Sequence, residues 1–321
     1  MKTAFVLSGG TASGSFQAGV LAYLAEHHPE IHPNLIMGVS VGALNGCMLA
    51  QNKLGVLKDL WFSIKDEQVY DSLSFWRIAA KFVREYRTKG LSSLRPLRHL
   101  VDKHIHLDAV KASGIDFRCG VVTLSNMRYH SIHANDLHLD SELRDAVMAS
   151  CIQPVIWEPV PSMYVKGEYL GDWAVDGGVR NVSPLGDVLD EEPDLVLIIN
   201  CFKSEQEDDG KSSQKDAKKE DIENIIDVLK ATMSTMIEEI KRGDVREFLK
   251  LNQIAREMAK KNIAVPKPNG KFYKPYKELL FEPTMSLGDS MRFTGQGQGR
   301  WDHGWQRAKE VMKEKGDTGV V

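Results

Sequence analysis

Residues 36–46 read Ile-Met-Gly-Val-Ser-Val-Gly-Ala-Leu-Asn-Gly and contain the pattern GxSxG, formed by Gly38, Ser40 and Gly42. The apolar residues before Gly38 are typical of the end of a buried strand, and those after Gly42 are typical of a helix. Ser40 is therefore predicted to lie in a sharp strand-to-helix turn, the arrangement called a nucleophile elbow. The glycines allow the close backbone approach that such a turn requires. Because GxSxG also occurs in ordinary tight turns, a catalytic serine would need partners elsewhere in the chain.

The composition is that of a globular protein. With 321 residues, 42% of them hydrophobic and 26% charged, the chain can bury a sizeable core. The net charge of −3 implies no bulk attraction to nucleic acid. No apolar run approaches the roughly 20 residues of a membrane span, and the first run is too short for a signal peptide, so we expect a cytoplasmic protein, free or peripheral to a membrane. The cysteines lie far apart in apolar runs without a CxxC pair, which indicates buried thiols in a reducing compartment: Cys47, Cys119, Cys151 and Cys201.

The order of the first elements predicts a mostly parallel sheet covered by helices. A short apolar run at residues 3–7 is followed by a glycine loop and a helix, then by a second strand at Leu35, the elbow and a second helix. This alternation of strands and helices is the usual opening of an α/β fold. Further strands are predicted at residues 117–124, 129–133, 163–165, 168–173, 195–201 and 277–281, and further helices at 141–151 and 301–313.

The pattern changes after residue 202. Residues 203–221 are charged and polar and are predicted to be a mobile loop. Apolar residues then step by three and four and repeat after Gly243, which predicts a helical hairpin over residues 222–262. We therefore expect a catalytic core at 1–202, the loop at 203–221, and a hairpin and C-terminal segment at 222–321 that packs on the core.

Residues 54–112 alternate apolar and basic positions and predict two or three amphipathic helices. Their basic stretch, from Arg77 to Lys89, is interpreted as a solvated helix face rather than a lipid-facing patch. Four histidines lie at strand-like spacing without a third ligand, so they are interpreted as surface or core residues rather than metal ligands: His104, His106, His130 and His133.

A serine hydroxyl needs a base to remove its proton. In an α/β-hydrolase triad the base would be a late histidine, and His303 is the only histidine after Asp176, in a segment that favours a capping or packing role. The alternative is direct catalysis by a carboxylate. Asp176 follows a strand-like run and precedes Gly177 and Gly178, which leave room for a substrate, although Asp-Gly-Gly is also an ordinary turn.

The glycine loop, the GxSxG motif and the Asp-Gly-Gly motif together resemble the patatin-like phospholipase family. The similar segments are residues 9–14, continued by 16–20, then 38–42 and 176–178, with Asn181 and Pro184 following; the helix and proline turn at 146–154 is also similar. The resemblance covers about residues 3–200. It implies an α/β fold, a three-layer α/β/α sandwich with a mostly parallel central sheet.

The same resemblance implies hydrolysis of fatty-acyl esters of lipids by a Ser-Asp dyad, without histidine, metal or cofactor. Ser40 would be the nucleophile and Asp176 the general base, while the amides of Gly9, Gly10 and Thr11 would form the oxyanion hole. The substrate would be a lipid acyl ester, with transient contact to a membrane or micelle surface and no nucleic-acid partner. The glycines that would support these motifs are Gly14, Gly38, Gly42, Gly177 and Gly178.

The chain departs from the family's glycine loop at two positions. Thr11 occupies the second glycine of the GxGxxG pattern, and Ser13 occupies the position of a basic residue. If that glycine requires a positive φ, a β-branched threonine is strained there. Either the loop is then reshaped or the donors shift to Gly9 and Gly10.

Two other function classes fit parts of the pattern. A nucleotide-binding module also begins with strand, glycine loop and helix, but this loop lacks the Lys-Ser/Thr of a P-loop and the acidic residue of a dinucleotide site. An inactive interaction protein on the same fold would use the 222–262 hairpin as its binding surface. The presence of both Ser40 and Asp176 argues against that reading, because folding alone does not require the pair.

Overall fold

The computed structural model describes residues 1–71, 90, 92–203, 225–266 and 272–316. Within these residues eight strands form one mixed sheet, and two short strands form a separate pair. The strands of the large sheet are β1 (Thr3–Leu7), β2 (Leu35–Gly38), β3 (Asp116–Thr123), β4 (Arg128–His133), β5 (Val160–Val165), β6 (Glu168–Asp176), β7 (Leu195–Ile199) and β10 (Lys277–Phe281), and the short pair is β8 (Val265–Pro266) with β9 (Phe272–Tyr273).

The centre of the sheet is parallel and completely buried. Its strand order is β10-β7-β1-β2-β3-β6-β5, with β4 paired to β3, and the pairs from β10 through β3 are all parallel. Every residue of β1, β2 and β7 is buried. Continuous apolar runs of this kind are expected where helices cover both faces of a sheet. The remaining strands, β4 to β6, pair antiparallel at one end.

Nine α-helices surround this sheet in the described part of the chain. They are α1 (Gly14–His27), α2 (Val41–Ala50), α3 (Leu54–Ser63), α4 (Arg95–His104), α5 (Leu107–Ala112), α6 (Asp140–Ser150), α7 (Gly186–Leu189), α8 (Ile225–Lys260) and α9 (Gly297–Gly316). None of the described helices is both long and apolar enough to cross a membrane.

Alternate side chains of the strands form two separate cores. Phe5 and Leu7 of β1 pack on one face with residues of α1, α2 and α9. Their neighbours Ala4 and Val6 face the other way and pack with residues of α7 and α8, among them Phe248. The period of two along a strand thus places the sheet between two helical layers, which confirms the predicted three-layer α/β/α sandwich.

Helices α1 and α9 approach each other closely. A Cβ on Gly19 of α1 would lie 2.2 Å from the carbonyl oxygen of Trp301, and one on Gly304 of α9 would lie 1.9 Å from that of Phe16. Glycine at these two positions therefore allows the backbones to touch. The contact holds the C-terminal helix against the start of the chain.

Within the described residues the predicted strands and helices are confirmed, with one correction. The helical hairpin expected over residues 222–262 is wrong, because α8 runs through Gly243 without a break. A glycine inside a helix costs only about 1 kcal/mol relative to alanine. The next residue, Asp244, accepts hydrogen bonds from the amides of Val182 and Ser183, and Val245 is fully buried, so tertiary contacts hold the helix straight through this point.

The C-terminal segment also contributes to the central sheet. Strand β10 pairs in parallel with β7, and its Leu279 and Phe281 are completely buried. The sheet is therefore completed by residues beyond 202. The basic stretch from Arg77 to Lys89 and the predicted loop at 203–221, apart from Lys203, lie outside the described residues.

Candidate active site

Ser40 lies in the turn between β2, which ends at Gly38, and α2, which begins at Val41. Its backbone has φ 58° and ψ −128°, a conformation that non-glycine residues rarely adopt and that typically costs about 1–3 kcal/mol. A Cβ on Gly38 would lie 2.4 Å from the carbonyl oxygen of Gly42, and one on Gly42 would lie 2.2 Å from that of Leu7. Both glycines are thus required sterically. The predicted strand-to-helix elbow is confirmed as a backbone geometry.

The end of α6 holds the elbow in place. The amide of Ser40 donates to Ser150 Oγ at 2.9 Å, and the thiol of Cys151 donates to the carbonyl oxygen of Ser40 at 3.4 Å. From the sequence this segment was predicted to be a helix followed by a proline turn, without a contact to Ser40. The small polar residues before Pro154 were the feature of the sequence that could have indicated a role for this segment at the site. Their contact with Ser40, however, depends on tertiary packing.

Asp176 approaches Ser40 because of the sheet topology. Strand β4 pairs with residues 118–123 of β3, so β2 and β6 must share the opposite edge of β3. In this register Gly38 lies beside Cys119 and Asp176 lies beside Val121. Since β2 and β6 run in opposite directions along this edge, their carboxyl ends face each other.

The carboxyl group of Asp176 is buried and has two neighbours that affect its pKa. Gly178 donates its amide to Oδ1 at 2.7 Å, and the Ser40 side chain lies beside the carboxyl. Burial dominates and raises the pKa of Asp176 to about 7, although both of these neighbours favour the ionised form and lower it. Its backbone is held by a bond from the Asp176 amide to the carbonyl oxygen of Ile152 at 2.9 Å. The result is a carboxyl group that can take up and release a proton near neutral pH.

The glycines after Asp176 fit close approaches. A Cβ on Gly177 would lie 2.6 Å from the carbonyl group of Gly120, and one on Gly178 would lie 3.0 Å from Asp176 Oδ1. Side chains at either position would therefore push the carboxylate or its strand away from β3.

The glycine loop lies directly against the serine. A Cβ on Gly9 would be 3.2 Å from Ser40 Cβ. The Gly9 amide, however, donates to the carbonyl oxygen of Val182 at 3.2 Å. The amides of Gly10 and Thr11 make no hydrogen bond within the described residues. Of the three amides predicted to form the oxyanion hole, that of Gly9 is thus engaged in holding the loop.

Space and strain define the rest of this loop. A Cβ on Gly10 would lie 2.2 Å from Cys201 Cβ, and one on Gly14 would lie 2.2 Å from a methyl group of Val41. Thr11 has φ 49°. The strain expected for a threonine in the position of a motif glycine is therefore present, and the loop keeps its turn in spite of it.

Three residues with positive φ surround one cavity. Thr11 (49°), Ser40 (58°) and Val155 (71°) all line it, and none of them is glycine. Strained backbone of this kind persists only where the surrounding structure enforces it, and it is concentrated at functional sites. Val155 was missed by sequence analysis, although its position directly after Pro154 marks a turn.

His303 lies elsewhere. Its ring packs edge-on against Phe16 with 5.3 Å between ring centroids, and its Nε2 is 3.3 Å from the amide nitrogen of Thr284. It lines neither of the two cavities that contain Ser40. The packing role predicted for His303 is confirmed. Within the described residues, no three His, Cys, Asp or Glu side chains are grouped as metal ligands would be.

Two cavities meet at Thr11, Ser40 and Trp157. The first, of about 100 Å³, has an almost entirely apolar lining and follows one side of α2 past Leu44 to Met48. The second, of about 420 Å³, contains Asp176 and the glycine loop. Its outer wall includes Ile237 of α8 together with Ser290 and Met291.

A family model described as patatin-like phospholipase matches residues 5–189. A search of curated proteins finds no match. Among solved structures, the chain is similar to VipD from Legionella pneumophila, with 12% sequence identity and a TM-score of 0.42 over 98% of this chain and 67% of that chain. With the family model matching more than half of its length, the chain belongs to the patatin-like phospholipase family.

Proposed function

We propose that this protein is a serine acyl hydrolase that cleaves fatty-acyl esters of lipids through an acyl-enzyme on Ser40. One observation carries the proposal: Ser40, on a strained elbow, lies beside a carboxyl group whose burial raises its pKa to about 7. Membership of the family implies lipid acyl hydrolysis in general terms.

In the first half of the reaction, Asp176 removes the proton of Ser40 while Oγ attacks the ester carbonyl carbon. The carbonyl oxygen gains negative charge and accepts hydrogen bonds from the amides of Gly10 and Thr11. One such donor typically contributes about 3–4 kcal/mol to the transition state. Asp176 then donates its proton to the departing alcohol oxygen, and the acyl group remains on Ser40.

In the second half, Asp176 removes a proton from water, which attacks the acyl-enzyme carbonyl carbon. The same two amides stabilise the second oxyanion. Asp176 returns the proton to Ser40 Oγ as the fatty acid leaves. One carboxyl group thus acts as base and acid in both halves, which requires a pKa near the working pH.

The two cavities support a lipid ester as the substrate. The apolar cavity is lined in part by Ser40 and its surface is almost entirely apolar, so it fits an acyl chain. The larger cavity contains the catalytic carboxyl and the amides, so it fits the ester group and the alcohol part. An ester placed across Ser40 would therefore direct its two halves into different environments.

The test is labelling with a fluorophosphonate probe, followed by mass spectrometry and by assays on monoacyl lipid esters. We expect an adduct on Ser40 of the wild type, no adduct in Ser40→Ala, and at least about a 100-fold slower labelling in Asp176→Asn. Asp172→Asn is the matched control, because Asp172 lies on the same strand outside both cavities and bonds to Ser162. Folded wild type that neither labels nor hydrolyses esters would favour an interaction protein without catalysis.

A further inference from the structure

The glycine loop is held by residues far along the chain. Ala12, the neighbour of Thr11, donates its amide to the carbonyl oxygen of Ser290 at 2.9 Å. Its own carbonyl oxygen accepts a hydrogen bond from Arg300 Nη1 at 3.2 Å. Both backbone polar groups of Ala12 are therefore occupied by the C-terminal part of the chain, which lies beyond the residues matched by the family model.

Arg300 is buried and dedicated to backbone carbonyls. It is 4% exposed, and in addition to Ala12 it bonds to three carbonyl oxygens of one short segment. No salt bridge to Arg300 is present within the described residues. Burying a guanidinium without a carboxylate partner is unfavourable. Here carbonyl oxygens offset that cost, because they accept hydrogen bonds from its planar, rigid set of donors. The three carbonyl groups are those of Leu287 at 2.9 Å, Asp289 at 2.7 Å and Arg292 at 2.9 Å.

The segment that Arg300 holds, residues 287–293, is also a wall of the site. Ser290 and Met291 line the cavity that contains Asp176, and Phe293 lines the apolar cavity. Its far end is anchored separately, since Asp66 Oδ1 accepts the amide of Phe293 at 2.6 Å. Arg300 thus ties one continuous segment to the glycine loop and to both cavities.

The loop needs this external support. Thr11 is β-branched and has φ 49°, a conformation that persists only when its surroundings enforce it. The hydrogen bonds that enforce it are those of the next residue, Ala12, with Ser290 and Arg300. If Ala12 shifts, the Thr11 amide turns away from the place where an oxyanion would form.

We propose that Arg300 is a positioning residue for the oxyanion loop: its guanidinium, through Ala12 and residues 287–293, holds the amides of Gly10 and Thr11 towards Ser40. The inference rests on the proposed function. Arg300 does not touch the substrate, because it lines neither cavity and bonds only to backbone carbonyls. It acts on the transition state through the loop.

The first test compares Arg300→Lys and Arg300→Met with the wild type at a temperature well below every Tm. We expect kcat to fall about 100-fold, the effect of a small misplacement of catalytic groups, with KM changed less than threefold. The matched control is Arg118→Lys. Arg118 is also buried, and it bonds to the carbonyl oxygen of Asp187 on the other face of the sheet. We expect the Arg118→Lys variant to have a lower Tm than the wild type and an unchanged kcat.

The second test uses a surface residue, in case the Arg300 variants do not fold. Asp289 is exposed, and its Oδ1 accepts the amide of Met291 at 2.9 Å, which forms the turn that presents the Ser290 carbonyl to Ala12. Asp289→Ala should lower kcat about tenfold with Tm nearly unchanged, whereas Asp289→Asn should keep the turn and the rate.

The outcomes separate this inference from the function on which it rests. A wild type without esterase activity or probe adduct would overturn the proposed function. An active wild type whose Arg300 variants fold and keep their kcat, or whose loss appears equally in Arg118→Lys, would overturn the role of Arg300 alone. If the Arg300 variants do not fold, full activity in Asp289→Ala would overturn it.

Discussion

Gly38 and Asp176, the last residues of β2 and β6, lie on the same edge of β3, two residues apart along that strand. Cys119 is the β3 partner of Gly38, and Val121 is the partner of Asp176. Strand β2 runs parallel to β3 and β6 runs antiparallel to it, so the carboxyl ends of β2 and β6 face each other. The serine turn after Gly38 therefore lies next to the carboxyl group of Asp176. The proximity of Ser40 and Asp176, the proposed dyad, thus results from the way in which two strands share one edge.

The strain at Ser40 should be measurable as stability. Ser40→Ala and Ser40→Gly should both abolish hydrolysis, but the glycine variant should be more stable than the alanine variant by about 1–2 kcal/mol, because glycine accepts φ 58° without a steric penalty. Chemical denaturation of both variants measures the difference. Arg246, exposed in the middle of α8, is the matched site, and there alanine should be the more stable by about 1 kcal/mol. If the difference in stability between the glycine and alanine variants had the same sign at both sites, the strain at Ser40 would be contradicted.

The raised pKa of Asp176 predicts the pH dependence of catalysis. Because the carboxylate form is the base, kcat/KM should rise with pH to a plateau above the pKa of about 7 and fall about tenfold per pH unit below it. The measurement is a pH profile on a short soluble ester, with the probe-labelling rate as a second readout. An inflection near the ordinary aspartate value would show that burial does not control this group.

The same group predicts a dependence of stability on pH. The folded state holds the Asp176 proton up to a pKa of about 7, whereas the unfolded chain releases it near the ordinary value of 3.8, so ionisation destabilises the fold as the pH rises between them. Asp176→Asn removes this cost. Its gain in stability should be near zero below about pH 4 and should reach at most about 4 kcal/mol above about pH 7. A gain that is equal at both ends of this range would contradict the prediction.

The close approach of Gly10 to Cys201 predicts a rescue. Gly10→Ala would place its Cβ 2.2 Å from Cys201 Cβ and displace the loop, so activity should fall about 100-fold. Adding Cys201→Gly removes the opposing Cβ and should restore part of the rate. Cys201→Ala keeps that Cβ and is the matched control, so rescue by both second substitutions would rule out this steric cause. Ester hydrolysis by the two double variants is the measurement.

The apolar cavity predicts selection by chain length. It follows α2 from Ser40 past Leu44 to Met48, a distance of about 12 Å at 1.5 Å per residue. Met48→Trp should block its far end and reduce turnover of long-chain esters, while Leu44→Trp should also reduce turnover of medium chains. Either enlargement should lower stability by about 1–3 kcal/mol. Hydrolysis of an acetyl ester is the control and should be retained; equal loss for all chain lengths would contradict an acyl-chain site.

Local sequence patterns predicted most of the elements. The apolar runs of the central strands, the period of the covering helices and the glycines of the elbow all act over a few residues, where steric and hydrophobic effects are local. The prediction of a helical hairpin over residues 222–262 was wrong because it also relied on a local pattern. Gly243 is a weak local break, and its effect was outweighed by the contacts of Asp244 and Val245 with the core.

By itself the sequence determined the elbow around Ser40, the alternation of strands and helices, and the identity of the residues that could form the dyad. Only the tertiary structure decided that the Gly9 amide donates to the carbonyl oxygen of Val182, that Asp176 is buried enough to change its pKa, and that Arg300 supports the loop. Hydrogen-bond partners, burial and electrostatic environment depend on groups that are distant in the chain. Their positions are set by strand order and helix packing, and no local pattern contains them.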